Sequence, residues 1–357
     1  MTTPRTTPFR VGLTSSFVTA TGELAFGDIG LGLLDDDPSV EYEFFTPNQP
    51  EVTPDQIARF DGIIALDGRY TRTTLAGNTR LAAIGRFGVG YDNVDVDACT
   101  NAAVMLFITP DGVRRPMAAS ILALLLALSH RLIQKDHLSH TGDVARLSQA
   151  IGTGLVGRVL GSVGVGNIGS ELFRLAAPLD MVGLVHDPYV SAADVAALGV
   201  RSVDFETLLR ESDFLCVNCP LMPQTRGLIG AEQLRLLKPS AYLINTARGP
   251  IVDTAALTAA LREGRLAGAG LDVTDPEPLP GDHELLAMDN VIVTSHRLGW
   301  TDQMMLGNGR ATMEGMLAVA HGKPPANLVN RAVLAKPTLA AKLETHAAAA
   351  PASGGHS

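Results

Sequence analysis

Arg158-Val-Leu-Gly-Ser-Val-Gly164-Val-Gly166-Asn167-Ile168-Gly169-Ser170 decides the fold. A short apolar run enters three glycines spaced G-x-G-x-x-G, and Ser170 to Leu179 continues as a helix. This pattern predicts a strand, a tight turn and a helix. Gly164 permits the turn, Gly166 lets backbone amides approach a pyrophosphate, and Gly169 allows close helix–strand packing. The helix N-terminus directs its positive dipole end at the phosphates. With 36 glycines in 357 residues, the loop alone is weak evidence. Its context strengthens it, because Asp187 ends the next strand, 18 positions beyond Gly169. A carboxylate there accepts hydrogen bonds from an adenosine ribose and repels a 2′-phosphate, and no arginine follows in Pro188-Tyr-Val190. NAD is therefore expected over NADP.

Outward from this loop the chain repeats strand and helical segment. Gly183-Leu-Val-His, Phe214-Leu-Cys-Val-Asn, Tyr242-Leu-Ile-Asn, Gly268-Ala-Gly-Leu-Asp and Val291-Ile-Val-Thr complete a set of six strands, a doubly wound dinucleotide fold. Upstream, Arg10-Val-Gly-Leu-Thr, Gly62-Ile-Ile-Ala-Leu, Leu81-Ala-Ala-Ile-Gly and Val104-Met-Leu-Phe-Ile read as strands of a second parallel sheet. Met117 onward is apolar on nearly every side, which suits a helix buried between domains or subunits. After Pro337 the chain is rich in Ala, Gly and Ser, and a mobile tail is expected. No internal repeat is visible.

Composition narrows the function. At 357 residues two domains are expected, and 46% hydrophobic against 18% charged residues is a globular balance. A net charge of −9 argues against nucleic acid, which needs clustered Lys and Arg. Met1 to Gly30 does not read as a signal peptide. The longest apolar run, Met117 to Ser129, has 13 residues, short of the ~20 that span a bilayer. A cytoplasmic protein with no membrane partner is the expectation. Cys99, Cys216 and Cys219 form no disulfide framework, and Cys216-Val-Asn-Cys219 lies in a strand rather than at the helix start where redox pairs are activated. His130 and His137 lie two helical turns apart on one face, but solvated helix-end histidines explain them and no metal site is expected.

Three charged side chains follow three successive strands: Arg248 after Tyr242-Leu-Ile-Asn245, Glu277 after Gly268-Ala-Gly-Leu271, and His296 after Val291-Ile-Val293. Ligands of open α/β sheets bind beyond such strand ends. An arginine binds a carboxylate in bidentate fashion, and a histidine paired with a carboxylate can protonate a carbonyl oxygen. Together they suit hydride transfer between nicotinamide and a 2-oxo/2-hydroxy acid.

The glycine loop with Asp187, Asn245-Thr-Ala-Arg-Gly-Pro-Ile-Val-Asp253, Gly268-Ala-Gly-Leu-Asp-Val273 with Glu277-Pro278, and Asn290-Val-Ile-Val-Thr-Ser-His296 resemble the D-isomer-specific 2-hydroxyacid dehydrogenase family. The likeness runs in order from about residue 85 to 300. It implies two flavodoxin/Rossmann-like α/β domains with parallel sheets, the cofactor domain inserted into the substrate domain. Residues 1–113 and 302–335 would form the substrate domain, 114–301 the NAD-binding domain and 336–357 the tail, in a homodimer built on the cofactor domain. By the same resemblance Arg248 binds the substrate carboxylate, His296 is the acid/base and Glu277 its partner. Val89 and Gly90, in Phe87-Gly-Val-Gly-Tyr91, offer amides to that carboxylate. Asn167 and Ile168 lie at the pyrophosphate, Cys219 and Pro220 along the adenosine, and Thr246 and Asp272 near the nicotinamide.

The sequence also departs from the family. Met117-Ala-Ala119 stands where Val-Ala-Glu is usual, preceded by Arg114-Arg115-Pro116; Ser295 stands where proline is usual, and Arg297-Leu-Gly-Trp300 follows the histidine. Arg114, Arg115 or Arg297 is thus a candidate for a second anionic group on the substrate; the simpler reading is surface or interface arginines. Glyoxylate or hydroxypyruvate reduction is the default, no regulatory extension being read beyond the second domain. The rivals are a relative acting on phosphite or formate, one acting on a dicarboxylic or phosphorylated hydroxy acid, and an NAD-sensing corepressor.

Overall fold

The computed structural model describes residues 7–48 and 50–347. The chain divides into two compact units: the described residues up to Val113 together with those from Thr301 onward, and Arg114–Trp300.

The first unit holds β1 (Phe9–Thr14), β2 (Val40–Phe45), β3 (Gly62–Ala65), β4 (Ala83–Arg86) and β5 (Met105–Phe107). They form one parallel sheet in the order β2-β1-β3-β4-β5, the flavodoxin-like winding. The edge strand β2 escapes the sequence reading, because Val-Glu-Tyr-Glu-Phe-Phe buries only its two ends and carries charge between them. Asp61, fully buried just before β3, braces the sheet. Its carboxylate accepts the Arg10 N–H at 2.9 Å and both arms of the Arg80 guanidinium at 3.1 and 2.9 Å.

From Thr301 the chain returns to this unit. Asn330 ties it to β5 and its approach, accepting the Leu106 N–H at 2.9 Å and donating to the Val104 carbonyl at 2.9 Å. The tail expectation is corrected here, for Pro337–Ala347 is a helix. Pro337 suits a first helical position, Ala, Leu, Lys and Glu are strong helix formers, and Leu339 is buried. Lys342 anchors the helix by donating to the carbonyls of Leu81, Ala103 and Ala102 at 2.7, 3.2 and 3.3 Å; its burial pushes the ammonium down to about 8. Residues 348–357 of the expected tail lie outside the described residues.

The second unit holds β6 (Val159–Val163), β7 (Val182–His186), β8 (Arg201–Ser202), β9 (Phe214–Val217), β10 (Tyr242–Asn245), β11 (Gly268–Leu271) and β12 (Val291–Val293). All are parallel, in the order β12-β11-β10-β9-β6-β7-β8, so the winding reverses between β6 and β9. The six expected strands are present, and the seventh, β8, is two exposed residues with no apolar signal. Asp213, just before β9, repeats the Asp61 brace: it accepts the Val159 N–H at 2.8 Å and the Lys238 ammonium at 3.0 Å.

The apolar helix runs from Pro110 to Ser129 and is longer than its 13-residue apolar run because its first turns are polar. Its 20 residues would cross a membrane by length and composition alone. Here Ala118, Ile121, Leu124, Leu125 and Leu128 sit in the core of the second unit beside Leu160, Phe214 and Ile244. The helix stops at Arg131, whose φ of 51° is left-handed, and a new helix spans Leu132–Thr141. His130 and His137 are therefore on separate segments and do not share a face.

Candidate active site

At the switch between β6 and β9 the loop Gly164–Gly169 leads into the helix Asn167–Ala176, three residues earlier than the sequence reading starts it. Gly164 has φ +90°, and a Cβ there would lie 2.9 Å from the Cys219 nitrogen, so only glycine fits between β6 and the chain leaving β9. Gly166 is the N-cap and makes no side-chain cap; a Cβ on it would meet nothing within 4 Å. The amides of Asn167, Ile168 and Gly169 precede the first intrahelical bond, from Ser170 N–H to the Gly166 carbonyl, so they need an outside acceptor. An open face lined with such donors fits a pyrophosphate.

Asp187 lies at the end of β7, half-buried. Its two oxygens accept the Val165 N–H at 3.0 Å and the Tyr189 N–H at 2.9 Å, which leaves each a further lone pair for a ribose hydroxyl. The residues present thus fit NAD. Cys219 and exposed Pro220 follow β9, and Thr246 is half-buried just past β10. Burial lifts the Cys216 thiol to about 12 and, together with the nearby Asp187 charge, the Cys219 thiol to about 11. Both stay protonated at neutral pH, so this pair has no thiolate for redox chemistry.

Arg248, Glu277 and His296 follow β10, β11 and β12, neighbours whose register levels Asn245, Leu271 and Val293. Buried Asn245 shapes the Arg248 turn by accepting the Ala247 N–H at 3.1 Å and donating to the Arg248 carbonyl at 3.0 Å. A Cβ on Gly249 would overlap the Thr274 carbonyl, so this turn packs directly on the loop that carries Glu277. Arg248 donates to the Ala247 carbonyl at 2.7 Å.

His296 Nδ1 is 2.7 Å from Glu277 Oε1. A carboxylate only accepts, so Nδ1 carries the proton and Nε2 is the ring nitrogen left for a ligand. Burial works to raise the Glu277 carboxyl. The hydrogen bond and charge of His296, the Thr274 backbone and the Arg248 charge outweigh it and hold the group below its usual 4.5. Ser295 and His296 both have left-handed φ, 48° and 61°, a turn that presents the imidazole.

Asp272 sustains that turn. It is 2% exposed, and its Oδ1 accepts the Thr294 hydroxyl at 2.6 Å and the N–H groups of Arg297 and Leu298 at 3.0 Å each. The His296 N–H also donates to the Asp272 carbonyl. Asp272, read from sequence as a nicotinamide neighbour, here scaffolds the histidine loop. Asn245 goes unread as an individual residue, and its only signal is its place at a strand end before Thr-Ala-Arg.

In the other unit, Gly88–Gly90 follow β4. The Gly88 N–H donates to Thr109 Oγ1 at 2.9 Å, while Val89 and Gly90 are half-buried. Among the three arginines singled out, Arg115 bonds Glu171 at 2.9 Å, which Arg174 also holds; Arg114 is exposed; Arg297 stacks on Trp300, with its guanidinium carbon 4.8 Å from the ring centroid. Among the described residues no cluster of His, Cys, Asp and Glu has a metal-holding arrangement.

Residues 122–297 match the profile of the D-isomer specific 2-hydroxyacid dehydrogenase NAD binding domain. Glyoxylate reductase of Thermococcus litoralis is 34% identical over 305 residues, covering 82% of this chain and 92% of that one. D-3-phosphoglycerate dehydrogenase of Archaeoglobus fulgidus is 38% identical over 250 residues, 70% of this chain but 47% of the longer relative. A crystallised protein of Thermus thermophilus superposes with a TM-score of 0.79 at 31% identity, over 90% of this chain and all of that one. With its glycine loop, Asp187 and paired parallel sheets, the chain belongs to the D-isomer specific 2-hydroxyacid dehydrogenase family of NAD-dependent oxidoreductases.

Proposed function

We propose that this enzyme reduces 2-oxo acids to 2-hydroxy acids, with glyoxylate the smallest substrate it takes. The observation that carries the reading is the 2.7 Å pair of His296 and Glu277 on a turn beside Arg248. When bound, NADH supplies the hydride for the oxo carbon. Arg248 orients the substrate carboxylate through its guanidinium fork. His296 holds a proton on Nε2 and delivers it to the carbonyl oxygen, while ionised Glu277 fixes the ring through Nδ1. The amides of Val89 and Gly90 are assigned to the same carboxylate. Gly164, Gly166, Asn167, Ile168, Gly169 and Asp187 bind the pyrophosphate and ribose, Cys219 and Pro220 line the adenosine, Thr246 borders the nicotinamide, and Asp272 acts by holding the His296 turn. Substrate and NAD domains are assigned to the first and second units. The relative named glyoxylate reductase, matched over nearly its whole length, favours this chemistry over phosphite or formate oxidation.

A homodimer is part of the proposal. Leu126, Leu132, Ile133, Val144, Ile151 and Val156, all 38–79% exposed, fall within one segment of the second unit and suit burial against a second copy. A cytoplasmic location agrees with three free cysteines. The test is NADH consumption with a panel of 2-oxo acids: glyoxylate turnover is expected, and NADH binding with no turnover of any oxo acid would contradict the proposal.

A further inference from the structure

Arg297 and Arg115, two of the arginines singled out in the sequence, direct their charge differently. Arg297 directly follows His296, one Cα–Cα step of about 3.8 Å away. Its backbone is pinned, since its N–H and that of Leu298 share Asp272 Oδ1, and the Trp300 N–H returns to the Arg297 carbonyl at 3.0 Å. The side chain is held too, its guanidinium carbon 4.8 Å from the centroid of the Trp300 ring. A cation–π contact satisfies no N–H group, so the guanidinium keeps its donors, in the fork that matches a carboxylate or phosphate. Among the described residues no carboxylate pairs with it, and two acids of these loops are engaged elsewhere: Glu277 holds His296 and Asp272 holds the turn. Arg115, by contrast, is spent on Glu171.

On a chain of net charge −9, an ordered and unpaired cation next to the proton donor is set to receive an anion. Arg248 already accounts for the carboxylate at C1 of an oxo acid. We infer that Arg297 determines specificity by pairing with a second anionic group, carboxylate or phosphate, carried beyond the reacting carbonyl. The inference rests on the oxo-acid reading and narrows it: substrates with two anionic groups gain over glyoxylate through this one side chain.

The test is steady-state NADH oxidation by wild type, Arg297→Leu and Arg297→Lys with glyoxylate, with the dicarboxylates ketomalonate and oxaloacetate, and with phosphohydroxypyruvate. The quantity read is kcat/KM for each dianion divided by that for glyoxylate. The ratio is expected to fall about tenfold or more in Arg297→Leu for the dianion that fits. Arg297→Lys should recover part of it, because the charge remains and the fork is lost. Raised ionic strength should lower the ratio in wild type more than in Arg297→Leu. The carboxylate and phosphate arms show which group is preferred. Glyoxylate turnover with a ratio unchanged in Arg297→Leu for every dianion overturns the inference and leaves the oxo-acid reading standing. Failure of wild type to reduce any of these acids overturns that reading and this inference with it.

Discussion

The two sheets enter alike and exit differently. In the first unit Asp61 donates its N–H to the Arg10 carbonyl at 2.8 Å, its carbonyl accepts the Ala82 N–H at 2.7 Å, and its carboxylate turns to the Arg10 amide and Arg80. In the second, Asp213 does the same with Val159 at 3.0 Å, Tyr242 at 2.9 Å, the Val159 amide and Lys238. Each aspartate thus ties three successive neighbouring strands of its sheet, β1, β3 and β4 or β6, β9 and β10, at their N-terminal ends. At the C-terminal ends the likeness stops. The loop after β4 offers half-buried amides at Val89 and Gly90, whereas β10, β11 and β12 present Arg248, Glu277 and His296. The common scaffold lies at one end of the strands, and the groups that distinguish the units lie at the other.

This contrast can be broken at either end. The largest effect belongs to the exits: Arg248→Ala should lower kcat/KM for glyoxylate about a hundredfold or more, with KM rising, since a bidentate charged contact is lost. A change in kcat/KM of only a few-fold would remove Arg248 from carboxylate binding. At the entries, Asp61→Ala and Asp213→Ala should each destabilise by about 2–4 kcal/mol, somewhat less than for fully buried pairs because Arg80 and Lys238 reach solvent. Urea unfolding measures both. Similar losses would support equivalent braces, and a change under about 1 kcal/mol in either would end the equivalence.

The smallest effect concerns Lys342, which has no counterpart among the features described for the second unit. Its pKa falls from 10.5 unfolded to about 8 folded through burial, so between those values the unfolded chain binds more protons. Stability should therefore rise with pH across about 8 to 10.5, and that rise should be absent in Lys342→Met. Thermal melts at pH 7.5 and pH 10 would show it; an identical pH response in both proteins would contradict the burial argument.

Much of this is legible in the sequence. The glycine loop and Asp187 announce themselves because a tight turn against a neighbouring strand admits only glycine, as the 2.9 Å approach to Cys219 requires. Arg248, Glu277 and His296 can be grouped because each follows an apolar run by a few residues, and parallel strands bring such ends to one side. Asp272 is readable for position and not for work: nothing local says that its oxygen will collect amides 25 and 26 residues away. The paired Asp61 and Asp213 braces are invisible for the same reason, since each joins residues from three strands. The helix Pro337–Ala347 is lost to composition, its single buried leucine and Lys342 being outweighed by the surrounding alanines.

The most direct test of the account is the rate of NADH oxidation with saturating glyoxylate in wild type and His296→Asn. The asparagine keeps a polar group on the turn but cannot hold a transferable proton, so kcat should fall about 10²–10⁴-fold while NADH binding persists. A His296→Asn enzyme with undiminished turnover would contradict the assignment of His296 as proton donor, and with it the reading of the strand ends as a reductase site.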